Sequence, residues 1–130
     1  MRRPSWLFVV ILIYSFLNPL IADHYYWVGG SGNWSDINHW SAVSGNNPMQ
    51  LHTATPTSND NVILDALSFP STGGTIDINL NLAFCKNLII NNVPSNVTIN
   101  FYGSNKHLRI FGDIKISDNI NWNGHVTILR

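Results

Sequence analysis

The chain has 130 residues, with seven Lys and Arg against seven Asp and no Glu, so its formal charge is zero. That length suits one domain, and the charge balance lacks the basic face that nucleic acid requires. A single cysteine, Cys85, excludes an internal disulfide, so packing alone must hold the fold.

Residues 1–22 have the make-up of an export signal. Met1-Arg2-Arg3 is a positive n-region, and Trp6 to Leu17 is an apolar run interrupted only by Tyr14 and Ser15. Asn18-Pro19 breaks the run, and Leu20-Ile21-Ala22 places a small residue before the cut. The competing role is a membrane anchor, but the run is short for a span of roughly 20 residues and Pro19 interrupts it. Cys85 lies too far from the run to carry a lipid. The sequence predicts a signal-peptide helix over 1–22 and a mature part from Asp23 to Arg130, secreted or at the cell surface. Membrane contact is then confined to the signal segment before cleavage. Five Lys and Arg against seven Asp give the mature part a formal charge of −2.

The mature part holds 17 of the 18 Asn, together with many Ile, Val, Thr and Ser. β-Branched residues favour strands. Asn tolerates left-handed backbone and caps its own turns, so this mixture suits many short strands joined by tight corners.

Tyr25 to Val28 is a predicted first strand. Gly29-Gly30-Ser31-Gly32-Asn33 is a loop, because only Gly enters positive φ freely. Trp34, a Ser35-Asp36 turn and a short strand at His39-Trp40-Ser41 follow. Trp27, Trp34 and Trp40 are predicted to form an aromatic plug at one end of a β core. With Gly29, Gly30, Gly32 and Asn33 they make a structural cap. Residues 42–58 are a polar loop with Gly45, Pro48 and Pro56. Asn59-Asp60-Asn61 then turns into a strand at Val62 to Asp65.

Thr75 to Leu82 carries the clearest periodicity. Ile76, Ile78, Leu80 and Leu82 alternate with Asp77, Asn79 and Asn81, the period of a strand with one buried face. After Cys85 short strands begin at Leu88, Val97, Leu108, Ile114, Ile120 and Val126, separated by corners containing Asn, Ser or Gly. Leu88, Leu108 and Val126 start similar strands about 20 residues apart, with Val97 and Ile114 between them. Such a repeat of very short strands predicts an all-β fold of right-handed parallel β-solenoid (β-helix) type, in which 23–130 forms the cap and first coils. The competing arrangement is an antiparallel β-sandwich.

Tyr26-Trp27-Val28-Gly29-Gly30-Ser31-Gly32-Asn33-Trp34-Ser35-Asp36, then His39-Trp40, Pro56 to Val62 and Asp65, resembles the opening module of large secreted, adhesin-like surface proteins of Bacteroidetes that use type IX secretion. Phe84-Cys85-Lys86-Asn87-Leu88 is similar to that family's coil entry. A weaker similarity is to the Trp/Gly repeats of autotransporter passengers. The resemblance implies an extracytoplasmic β-solenoid with a structural or adhesive role. It carries no catalytic residue, since the shared positions are Gly, Asn and Trp. Members of that family are far longer, so the resemblance implies the N-terminal part of a longer chain, whose partners are glycans or other cell-surface proteins.

Chemistry is sparse. A glycosidase needs paired carboxylates. The candidates are Asp36, Asp60, Asp65, Asp77, Asp113 and Asp118, each in a turn or on a polar strand face. His24, His39, His52, His107 and His125 lack the paired spacing of a zinc site. Cys85 is expected to be a buried core residue rather than a nucleophile. Gly29 to Gly32 lacks the Lys-Ser/Thr of a phosphate loop. No enzyme activity and no cofactor are expected. Two binding sites are nevertheless in view. Asp60 and Asp65 are candidate calcium ligands near one turn. Trp34, Trp40 and Trp122, with Asn nearby, are candidate platforms for stacking a glycan.

Overall fold

The computed structural model describes residues 22–117 and 119–129. The expected signal-peptide helix over 1–22 lies, except for Ala22, outside the described residues, as does Asp118.

The chain is predominantly β. Among the described residues the only helical turns are two short 3₁₀ segments, Ile37–His39 and Ser44–Asn46. Among the described residues twelve strands follow one another: β1 (His24–Trp27), β2 (Gly32–Asn33), β3 (Trp40–Ser41), β4 (Asn61–Leu64), β5 (Gly74–Ile78), β6 (Ala83–Cys85), β7 (Leu88–Ile90), β8 (Val97–Phe101), β9 (Leu108–Ile110), β10 (Ile114–Ile116), β11 (Asn121–Asn123) and β12 (Val126–Ile128). They form three sheets. One has the order β10-β7-β4-β1-β3, the second β11-β8-β5-β2 and the third β12-β9-β6.

All ladders between named strands are parallel except β1 with β3. The antiparallel pairing expected throughout a sandwich is thus confined to this one ladder and an isolated bridge between Ser41 and Leu51. The registers correct the repeat inferred from sequence. Leu88 pairs with Val62 and Ile114 rather than standing in one row with Leu108. Val97 pairs with Gly74, not with Ile114. Only Leu108 and Val126 are direct partners as expected. The sequence spacing underestimated the repeat because two strands, not one, lie between partners within a sheet.

Burial follows strand parity. Ile76 and Ile78 are buried while Asp77 between them is not, and the same holds for Val97 and Ile99 around Thr98 and for Leu108 and Ile110 around Arg109. Inward rows continue across strands: Val62, Leu88 and Ile114; Ile76, Ile99 and Trp122; Cys85, Ile110 and Ile128. Apart from Ile128, which is exposed, these residues from all three sheets belong to or pack against one hydrophobic core. Each fully buried aliphatic side chain contributes on the order of 1.5–3 kcal/mol.

Outward rows carry polar ladders. Asn100 donates its side-chain amide to Asp77 at 2.7 Å, and Asn123 donates to Asn100 at 2.7 Å, linking β5, β8 and β11. At a corner, Asn87 donates to Asn61 (2.9 Å) and accepts from the Asp113 backbone N–H (2.7 Å). The abundance of Asn therefore has two uses, turning the chain and joining neighbouring strands side chain to side chain. The alternation seen from Ile76 to Leu82 ends early as a strand: β5 stops at Ile78, and Leu80 and Leu82 lie on the corner that follows.

Candidate functional site

The Trp/Gly stretch folds into one interlocked unit at the β1 end of the sheets. Trp27, Trp34 and Trp40 are 0%, 1% and 0% exposed. Trp40 stands edge-on to Trp27 (centroids 5.0 Å, 85°) and to Trp34 (4.8 Å, 71°), the T-shaped geometry that aromatic quadrupoles favour. Two indoles donate to backbone carbonyls inside the unit: Trp27 to Gly30 at 2.7 Å and Trp40 to Trp34 at 2.8 Å. Burial of these rings therefore leaves those two N–H groups satisfied.

His39 locks the glycine loop. Its ring stacks flat on Trp27 (centroids 4.6 Å, 3°), and its Nδ1–H donates to the Val28 carbonyl at 2.6 Å. The imidazole also explains Gly32: a Cβ there would lie 2.1 Å from His39 Nε2. Gly29 and Gly30 take φ of +83° and +77°, which reverses the chain ahead of β2. Asn33 pairs with Asp77 in the β2–β5 ladder, and Trp34 N–H donates to the Asp77 carbonyl at 2.8 Å. Gly32–Asn33, expected to lie in a loop, is thus a two-residue strand.

This packing bears directly on the residues singled out for glycan stacking. At 1% and 0% exposure, Trp34 and Trp40 present no open ring face on which a sugar could stack. Trp122 is half-buried and packs against the core from β11, in the inward row below Ile99. The structure does not bring it together with the other two; Trp34 and Trp40 sit at the β1 end and Trp122 on the last strand of its sheet.

The two carboxylates considered for calcium are occupied by their own chain. Asp60 accepts from Asp23 N–H (3.3 Å), Thr57 N–H (2.8 Å) and the Thr57 hydroxyl (2.8 Å). Asp65 accepts from the Ser44 hydroxyl and from Leu67 N–H at 3.0 Å. These are turn-stabilising bonds. Among the described residues no three His, Cys, Asp or Glu side chains gather as a metal would require. Cys85 is buried in β6, and burial pushes its thiol up to about 12, which keeps it protonated and inert at neutral pH.

One surface feature was not legible in advance. A groove of about 670 Å³ is lined by Leu80, Leu82, Ala83, Phe84 and Phe111 at and around β6, by residues 54–58 and by Trp34. No charged side chain lines it. Trp34 Nε1 is the one buried side-chain polar atom without a hydrogen-bond partner among the described residues. The sequence signal was Phe84, an aromatic residue at the outward parity between buried Ala83 and Cys85.

Comparison with family models, with curated proteins and with solved structures finds no match.

Proposed function

We propose that the chain is an exported, non-enzymatic structural module: the N-terminal cap and first coils of a right-handed parallel β-solenoid belonging to a longer, adhesin-like protein, secreted or displayed at the cell surface. The observation that carries this reading is the strand order. β4, β5 and β6 fall in three different sheets. β7, β8 and β9 follow in the same sequence and lie parallel beside them, and β10, β11 and β12 repeat the pattern. A chain that visits three sheets in rotation and returns one strand further along winds as a coil. The right hand follows from the handedness of parallel crossovers.

The cap assignment rests on the contrast in closure. At the β1 end, β3 turns antiparallel onto β1 and the tryptophans fill the interior. Repeat arrays need such a terminal unit, because an unprotected end exposes apolar side chains and free strand edges. The export-signal pattern read in 1–22 and the resemblance to type IX-secreted surface proteins support that location. A repeat array of this kind can build and present a surface.

Fractionation of the source cells tests this directly. The expected result is an extracellular or surface-bound product whose first residue is Asp23 and whose mass exceeds that of Asp23 to Arg130. A cytoplasmic product that retains Met1 would overturn the reading.

A further inference from the structure

We propose that the groove along β6 is a peptide-binding site, in which an extended, uncharged segment of another protein adds a strand to the three-stranded sheet. The first argument is a missing neighbour. In the other two sheets β1 lies beside β4 and β2 beside β5, but β6 is the last strand of its sheet on that side. The chain does pass there, as residues 54–60, yet it turns away. Asp60 N–H donates to the Thr57 carbonyl at 3.1 Å, and the Asp60 carboxylate accepts from Thr57. The space between this turn and β6 is the groove.

The second argument is backbone chemistry. Ala83 N–H donates to the His107 carbonyl, and the Cys85 carbonyl accepts from Phe111 N–H, so both residues face β9. Alternate residues of a parallel strand present their polar groups to opposite sides. The N–H and carbonyl of Phe84 therefore face the groove, and no partner for either is found among the described residues. Added strands use this pairing for affinity and side-chain pockets for selectivity.

The third argument is the Trp34 indole. It borders the groove, is 1% exposed and has no acceptor. A buried donor left unpaired costs about 1–3 kcal/mol, and a peptide carbonyl is the acceptor it lacks. The lining selects among ligands. A glycan needs several convergent polar groups, whereas Leu80, Leu82, Phe84 and Phe111 are apolar and only the 54–58 side supplies hydroxyls. An acyl chain would leave Phe84 and Trp34 unpaired. A strand with small β-branched side chains satisfies both.

The test is ¹⁵N NMR of the 23–130 chain titrated with the capped pentapeptide Val-Thr-Val-Thr-Val. The expected result is that the Phe84 amide and the Trp34 indole N–H resonances shift together and exchange more slowly with solvent at saturation. A pentapeptide with Pro at its centre, which lacks the ladder N–H, should bind at least 10-fold more weakly. Leu82→Asp, on an exposed corner, should weaken binding at least 10-fold with an unchanged melting curve. Each of four results overturns the proposal: the two resonances stay still, the proline peptide binds equally well, Leu82→Asp leaves affinity unchanged, or a cello-oligosaccharide or fatty acid moves the resonances while the peptide does not.

Discussion

At the β1 end of the sheets Trp27, Trp34 and Trp40 are almost wholly buried. At the β10–β12 end Ile116 and Ile128 are 42% and 44% exposed, although they continue the rows of Ile90 and Ile110, which are fully buried. The residue type scarcely changes along a row; what changes is whether another strand lies beyond it. Val62, Leu88 and Ile114 make the same point within the five-stranded sheet, the first two buried and the third half-buried. Burial here is a property of position in the array. The β1 end reaches it with three indoles and an antiparallel strand instead of a further parallel layer.

The largest way to break this contrast is Trp27→Ala. Removing a fully buried indole that anchors His39 and Trp40 should cost roughly 3–5 kcal/mol, read as a fall in the urea midpoint. Trp122→Ala, half-buried on β11, should cost less than half as much. Equal losses would mean that the two ends are held alike.

Gly32→Ala should cost about 1–3 kcal/mol, since the new methyl meets the His39 ring. Combined with His39→Ala it should cost little beyond the His39→Ala change alone, because the clash is gone. Additive losses would show that Gly32 is required for backbone conformation and not for the imidazole.

Cys85 and Ile128 share one inward row and sharpen the comparison chemically. The Cys85 thiol is raised to about 12 by burial, above its value of 9.0 in a free chain. The stability this gives is complete below the unfolded value and is lost as pH climbs from about 9 toward 12. The unfolding free energy should therefore fall with pH, by at most about 1.4 kcal/mol per pH unit in that window, and a Cys85→Ala chain should lack this component of the slope. At pH 8 a thiol reagent should leave Cys85 untouched in the native chain, while Ile128→Cys in the Cys85→Ala background reacts at once.

The polar ladder gives the smaller effects. Asn100 bonds to both Asp77 and Asn123, so Asn100→Ala should cost about 1–2 kcal/mol and Asn123→Ala, with one such bond, about half of that. Thermal melts of the two variants check the ratio. Least costly of all should be Ile128→Lys, within about 0.5 kcal/mol by denaturant titration, because that side chain is already in contact with water.

Most strand positions were legible from local pattern. Val97–Phe101, Leu108–Ile110, Ile114–Ile116 and Val126–Ile128 fall where β-branched runs between Asn and Gly corners place them. Strand partners were not, because pairing depends on how many strands intervene before the chain returns to the same sheet. Gly32–Asn33 lacks any strand-forming residue, and its pairing with β5 comes from the geometry of the loop around His39. The clustering of Trp27, Trp34 and Trp40 could be read from their spacing, but their exposure could not, and exposure decides whether a ring is available to a sugar. The groove along β6 was invisible for a related reason. It arises where residues 54–60 fail to extend, and no residue type announces the absence of a strand.

The corners differ in length in a way that has a practical side. Between the third sheet and the first the chain needs only residues 86–87 or 111–113, and Asn87 ties one corner to the next. Between the second and third sheets the links are residues 79–82, 102–107 and 124–125, and the 102–105 tip is solvent-exposed. Loop closure grows slowly in cost with length. Foreign sequence, such as an epitope or an enzyme tag, is therefore best grafted at 103–105, where it would be carried outward without disturbing a single ladder, whereas the same insert at 86–87 would pull two layers out of step.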